Sequence, residues 1–257
     1  MIYFTSDAHL GSPYHEDPRA TEKRLVAWLD QIAPNAEAIY FLGDIFDFWY
    51  EYRYVVPKGF VRFQGKIAEL TDKGIEIHFL TGNHDVWMKT YFQEELGVHI
   101  HHKALEVTLK GKRFRLAHGD EEYRYQNKTN NLMYRLFRNR VARSIFSAIH
   151  PRWTVGFALT CSQQSRRKGF KKKAKEVAHT THNPYFSLED EWLVGWTKRE
   201  ASQHPQIDFF LFGHRHLPFD YLLPSGQRLV VMGDWYKMGE YITWDGEVLL
   251  LEEANTL

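Results

Sequence analysis

At 257 residues, with 44% hydrophobic and 16% aromatic side chains, the chain carries enough apolar surface for a folded core, which excludes disorder as its main state. A single cysteine, Cys161, excludes an intrachain disulfide and any thiolate cluster for a metal. The net charge of +1 hides an asymmetry, because residues 121–200 hold 16 basic and 7 acidic side chains while the remainder holds 17 and 25.

Within that segment no acid occurs in the 53 residues between Glu122 and Glu176, which carry 14 Lys or Arg. An acidic body with a basic insert suits two tasks, binding cations and holding an anionic partner. The start, MIYFTSDAHL, lacks the basic and long apolar regions of a secretory leader, so a cytoplasmic protein is expected. No run reaches the roughly 18 apolar residues of a membrane span. The nearest, SIFSAIHPRWTVGFALT, is broken by His150, Pro151 and Arg152.

In chain order, IYFT and AIYFLG read as strands separated by a helix, TEKRLVAWLDQIA, with apolar residues at helical spacing. VRFQGKIAELTDKG repeats the helical pattern and ends at Gly74, and IEIHFLTG follows as a strand. LEVTLKGKRFRLAHG reads as two strands around a Lys110-Gly111 turn. After the basic insert come IDFFLFGHRH, RLVVMGDW and YITWDGEVLLLEE, a strand-rich end. This order predicts an α/β chain of stacked sheets flanked by helices.

Strand after strand finishes in potential metal ligands: Asp7 and His9 in SDAHL, Asp44 and Asp47 in GDIFD, Asn83, His84 and Asp85 in GNHD, His118 in HGD, His214 and His216 in GHRH. Carboxyl ends of parallel strands gather on one sheet edge, and D-x-H and H-x-H place alternate side chains on one side of an extended segment. Glycines at 43, 82, 119 and 213 allow sharp turns beside them. Taken singly, Asp7 reads as a turn cap, Asn83 as a turn residue and His214 as a core imidazole. The ordered set of five motifs, D-x-H, G-D-x-x-D, G-N-H-D, H-G-D and G-H-x-H, resembles the calcineurin-like metallophosphoesterases over nearly all of the chain outside the insert.

That resemblance implies a four-layer αββα sandwich, residues 1–120 and 201–257, with a basic helical cap inserted at 121–200. It implies one metal held by Asp7, His9, Asp44 and His216 and a second held by Asp44, Asn83, His118 and His214, with Asp44 bridging. An oxygen and nitrogen donor set without thiolate suits Mn²⁺ first, with Fe or Zn²⁺ as alternatives. Two such ions can generate a bridging hydroxide, polarise a phosphoryl oxygen and stabilise an in-line displacement. By the same resemblance His84 is the acid that protonates the leaving group or stabilises the phosphorane, and Asp85 orients its ring. Asp47 supports the ligands without being one. His101 and His102 lie outside every motif and are expected to face solvent.

The insert bears on the substrate. NLMYRLFRNRVARSIFSAI places Leu132, Leu136, Val141, Ile145 and Ile149 near one helical face among arginines, Pro151 breaks the pattern, and RRKGFKKKAKEVAH gives a second helical piece. Cations without acids beside Phe, Trp and Leu suit an amphiphilic anion or an anionic membrane surface. IYFTSDAHLG, FLGDIFDFWYEY, VVPKGFVRFQGKIAEL, FLTGNHDVW and FGHRHLPFD resemble the UDP-2,3-diacylglucosamine diphosphatase family of lipid A synthesis in its Bacteroidetes-type branch. This resemblance implies a lipid-linked sugar nucleotide as substrate, UMP and 2,3-diacylglucosamine 1-phosphate as products, and a peripheral place on the inner face of the inner membrane. Arg166, Lys168 and Arg215 are the candidate substrate contacts. Proteobacterial members have arginine where His84 stands. The competing expectation is a two-metal nuclease or nucleotide phosphodiesterase. Nucleic acid is otherwise not an expected partner, and no obligate protein partner is inferred.

Overall fold

The computed structural model describes residues 1–13, 15, 17–122, 139–150, 153, 156, 160, 188, 191–236 and 239–254. The chain divides into two compact units, one of Met1–Glu121 with Thr197–Leu257 and the other of Glu122–Trp196.

Two sheets form the first unit. β1 (Ile2–Thr5), β2 (Ala38–Leu42), β3 (Glu76–Leu80) and β4 (His99–His101) are parallel neighbours in that order. The second sheet comprises β5 (Leu105–Leu109), β6 (Lys112–Ala117), β7 (Phe209–Phe212), β8 (Phe219–Leu222) and β9 (Arg228–Val231) in the order β5-β6-β7-β9-β8. Its three middle strands, β6, β7 and β9, are parallel. β10 (Glu240–Trp244) and β11 (Leu249–Glu253) return to the first sheet and extend it antiparallel on the β1 side.

Alternation along β1 divides it between two cores. Ile2 and Phe4 share a core with Phe114, Leu211 and Val230 of the second sheet. Tyr3 shares one with Leu25, Trp28 and Leu29 of α1 (Pro18–Ile32) and Ile67 of α2 (Val61–Asp72). Phe4 stacks on Phe114 at 5.7 Å between ring centroids, and burial of each such ring contributes about 1.5–3 kcal/mol. α3 (Tyr91–Leu96) adds Phe92 to the helical side. In the second unit, α4 (Arg140–Ala148) begins at Asn139, whose side chain caps Val141 and Ala142. α5 (Trp192–Gln203) crosses from the second unit into the first. Its Glu200 pairs at 2.9 Å with Arg115, which points away from the Phe114 and Leu116 face of β6. The layers of the first unit are therefore helix, sheet, sheet, helix.

Two buried acids tie distant segments together. α2 follows Phe60, a residue in left-handed backbone that offers no side-chain cap, so Glu22 of α1 accepts from Arg62 N at 3.0 Å and Phe63 N at 3.2 Å in its place. Glu51 caps α3 through Thr90 N at 2.9 Å and Tyr91 N at 3.2 Å.

Ile149 departs from expectation, because it is extended just past α4 and leaves the helical face; Leu132 and Leu136 lie outside the described residues. No helix among the described residues is long and apolar enough to cross a membrane.

Candidate metal centre

Six parallel strands deliver polar residues to one place. β1 leads to Asp7 and His9, β2 to Asp44 and Asp47, β3 to Asn83, His84 and Asp85, β6 to His118, β7 to His214 and His216, and β9 to Asp234. The turns that do this are strained. Asp7, His9, Asp44, His214 and His216 all have positive φ, between 43° and 65°, a conformation that costs on the order of 1–3 kcal/mol per non-glycine residue. Backbone hydrogen bonds across the strand ends hold it: Asp7 N to Gly43 O at 3.1 Å, His9 N to Asp44 O at 2.9 Å and Trp235 N to Asp7 O at 3.2 Å. Close approach requires glycine beside these residues. A Cβ on Gly82 would collide with the Asp44 carboxylate, and one on Gly213 with Asp7 and Ser6.

Three overlapping groups gather here: Asp7, His9 and His216; His9, Asp44 and His84; and Asp44, His118 and His214. In most of them the atom away from the centre is tied to protein and the near atom is left facing inward. Asp7 Oδ2 accepts from Ser6 Oγ at 2.6 Å and from His214 N at 2.8 Å, which also joins the two sheets. Its Oδ1 is buried without a hydrogen bond and faces His9 Nε2 at 3.5 Å and His216 Nε2 at 3.3 Å. Asp44 Oδ1 accepts from His84 N at 2.9 Å, while Oδ2 lies 3.2 Å from His118 Nε2 and 3.8 Å from His9 Nε2. His118 Nδ1 donates to Leu42 O at 2.9 Å and His216 Nδ1 to Asp234 Oδ2 at 2.8 Å, so each presents Nε2.

Converging lone pairs repel unless a cation lies among them, and the orphaned Asp7 Oδ1 with its facing imidazole nitrogens fits one. Electrostatics agree. Burial alone would push the Asp44 carboxyl up, but His118 and His84 overcome it and hold it well below the usual carboxylate range. His118 is driven the other way: burial would lower it, yet Asp44 raises it well above the ordinary imidazole value. Burial and the neighbouring His118 push His214 down to about 3, which keeps the ring neutral with a lone pair on one nitrogen.

A model of the calcineurin-like phosphoesterases matches residues 1–218. The chain belongs to that family. As a calcineurin-like phosphoesterase with this centre it is a divalent-metal-dependent hydrolase. A UDP-2,3-diacylglucosamine hydrolase of Porphyromonas gingivalis is 54% identical to it over 257 residues, covering 100% of this chain and 98% of that one. Another, of Actinobacillus succinogenes, is 27% identical and covers 91% of each chain. Among solved structures, the E. coli phosphoesterase Yfce is similar at a TM-score of 0.46 with 17% identity, covering 99% of this chain and 93% of that one.

The phosphoesterase centre departs from the motif reading in several places. Asp85 does not orient His84. Its carboxylate turns back to accept from Gly82 N at 2.7 Å and Ile45 N at 2.9 Å, and burial with the charge of Asp44 raises it to about 7. His84 Nδ1 is instead held by the backbone carbonyl of Asp47 at 2.8 Å. Asp47 is buried, with Oδ1 3.9 Å from His9 Nδ1 and 4.0 Å from His84 Nδ1. Asn83 is exposed beside them, and Arg215 is half-buried between His214 and His216. Arg166 and Lys168 lie outside the described residues. His101 is half-buried against His78, with its Nε2 3.1 Å from His78 Nδ1, contrary to a solvent-facing expectation; His102 is exposed.

Motif reading also missed Asp234 and Tyr236. Asp234 holds His216 and caps Tyr236 N at 3.0 Å, and the Tyr236 ring stacks on His9 at 5.6 Å. A signal was present, since VMGD repeats the FLGD that carries Asp44.

Proposed function

We propose that this phosphoesterase hydrolyses the pyrophosphate of UDP-2,3-diacylglucosamine, with attack at the α-phosphorus, to give UMP and 2,3-diacylglucosamine 1-phosphate for lipid A assembly. The observation that carries this reading is the full-length 54% identity to the P. gingivalis hydrolase, combined with a phosphoesterase centre in this chain. Asp7, His9, Asp44 and His216 would hold one ion and Asp44, Asn83, His118 and His214 the other, Mn²⁺ being favoured by the oxygen and nitrogen donors. Two such ions lower the pKa of water and polarise a phosphoryl oxygen.

The remaining work falls to side chains. The Asp47 carbonyl accepts from His84 Nδ1–H, which leaves Nε2, 4.0 Å from Asp44 Oδ2, as the nitrogen that takes up a second proton, and the imidazolium so formed would give that proton to the departing phosphate oxygen. Arg215 offers a guanidinium to the phosphates beside the ligand histidines. Residues 121–200 are read as the cap: the excess of cations in their sequence, Arg166 and Lys168 among them, suits a diphosphate or an anionic membrane, and exposed Val141, Ile145 and Trp153 suit acyl chains. Peripheral attachment to the inner membrane follows from a substrate that resides there.

The test is incubation with UDP-2,3-diacylglucosamine and Mn²⁺ in H₂¹⁸O, with mass analysis of both products. Labelled UMP with unlabelled lipid phosphate is expected. Label in the lipid phosphate, or release of UDP, would overturn the reading.

A further inference from the structure

The segment joining the metal centre to α2 carries a surface that the chemistry does not use. From Tyr52 to Arg62 the sequence is YRYVVPKGFVR, and no acid occurs between the buried Glu51 and Glu69. Its base is fixed. Glu51 is held at α3, Tyr50 pairs with Trp87 in an isolated bridge, and Phe60 packs on Phe46 at 5.0 Å between centroids. Its tip turns outward through a Tyr52 N to Val55 O hydrogen bond at 3.0 Å, leaving Tyr54 84% and Val55 52% exposed, with Val61 75% exposed at the start of α2.

Water is a poor partner for three such side chains on an anchored loop. Cations surround them. Arg53 lies over the Tyr54 ring at 5.1 Å, and Lys58 and Arg62 are exposed. None of the three forms an ion pair among the described residues, whereas Lys66, one turn on, is taken by Asp30 and Glu69. An aromatic and two valines among unpaired cations match the layered chemistry of an anionic bilayer, apolar beneath and negative at the headgroups.

We infer that residues 52–62 are a membrane-contact loop of the phosphoesterase core, which inserts Tyr54, Val55 and Val61 among anionic headgroups and brings the rim of the metal centre to the lipid surface. The purpose of this contact rests on the lipid-substrate reading. Its measurement does not, because plain vesicles contain no substrate.

The experiment is co-sedimentation of the full chain with phosphatidylcholine vesicles, with and without one quarter phosphatidylglycerol. Wild type is expected to bind the anionic vesicles and to release in high salt. The variant Arg53→Gln/Lys58→Gln/Arg62→Gln is expected to partition about a hundredfold less, since each cation near such a surface contributes about fivefold. Tyr54→Asp/Val55→Asp is expected to lose at least tenfold, while both variants turn over a water-soluble phosphodiester with Mn²⁺ at the wild-type rate. Wild-type partition by both variants would overturn the inference. So would a change of oligomeric state in gel filtration without a change in vesicle binding, which would assign the patch to a second copy of the chain. Loop-dependent vesicle binding by a protein that leaves UDP-2,3-diacylglucosamine intact would instead sink the substrate reading and leave the loop standing.

Discussion

His216 Nδ1 donates to Asp234 Oδ2 at 2.8 Å, a bond between the strand ends of β7 and β9 that leaves His216 Nε2 as the nitrogen facing Asp7 Oδ1. A carboxylate behind a ligating imidazole fixes its ring and raises its basicity, and loss of such a group typically costs 10–100-fold in metal affinity or activity. Asp234→Ala is therefore expected to weaken one metal position by about that factor, and Asp234→Asn by less. Metal titration followed by elemental analysis reads this directly. Unchanged affinity in Asp234→Ala would remove Asp234 from the metal centre.

His84 is held through Nδ1 by the Asp47 carbonyl, as His118 is by that of Leu42, and the acid role proposed for it separates it from the histidines proposed as ligands. His84→Ala is expected to keep both metals and to lose about 10²–10⁴ in turnover on a substrate with a poor leaving group. The loss should shrink for a nitrophenolate, which leaves without a proton. Loss of metal from the variant would mean that His84 is a ligand.

Asp44 Oδ2 is within 4.0 Å of nitrogens from His118, His9 and His84, so this one oxygen faces both halves of the cluster. Asp44→Ala is expected to empty or cripple both positions at once. Two metals per chain by elemental analysis in the variant would refute the bridging role.

Away from the centre, His78 stacks on Tyr40 at 4.3 Å, and burial, with the nearby His101 and His99, lowers it from 6.5 to about 4. Its folded pKa is depressed, so the unfolded chain binds more protons between about pH 4 and 6.5. Stability is then fully present above that window and is lost as pH falls through it, by up to about 3 kcal/mol. Denaturant melts at pH 4.5 and 7.5 should show the drop, and His78→Phe should flatten it. An equal drop in the variant would assign the acid sensitivity to other groups.

Much of the architecture was legible because it is written in local periodicity. β1, β2 and β3 are short apolar runs ended by polar residues, α1 and α2 carry apolar residues at helical spacing, and the Lys110-Gly111 turn has both residues at positive φ. β4 was not legible, since His99-Ile100-His101 is too short for its alternation to stand out and is a strand because β3 offers it a partner. α3 was missed for a related reason, as its start is capped by Glu51 from another part of the chain.

The chemistry divides in the same way. The sequence by itself determined which Asp, Asn and His side chains stand at successive strand ends, with no thiolate among them, because identity and spacing are properties of the chain. Only the tertiary structure decided which atom of each donor faces inward, because that depends on what takes the other atom: Ser6 and His214 N for Asp7, Leu42 O for His118, Asp234 for His216. Adjacency misassigned Asp85, whose place beside His84 in the chain suggested a pair. A sharp turn sends its carboxylate to the amides of Gly82 and Ile45, and the partner of His84 comes from 37 residues away.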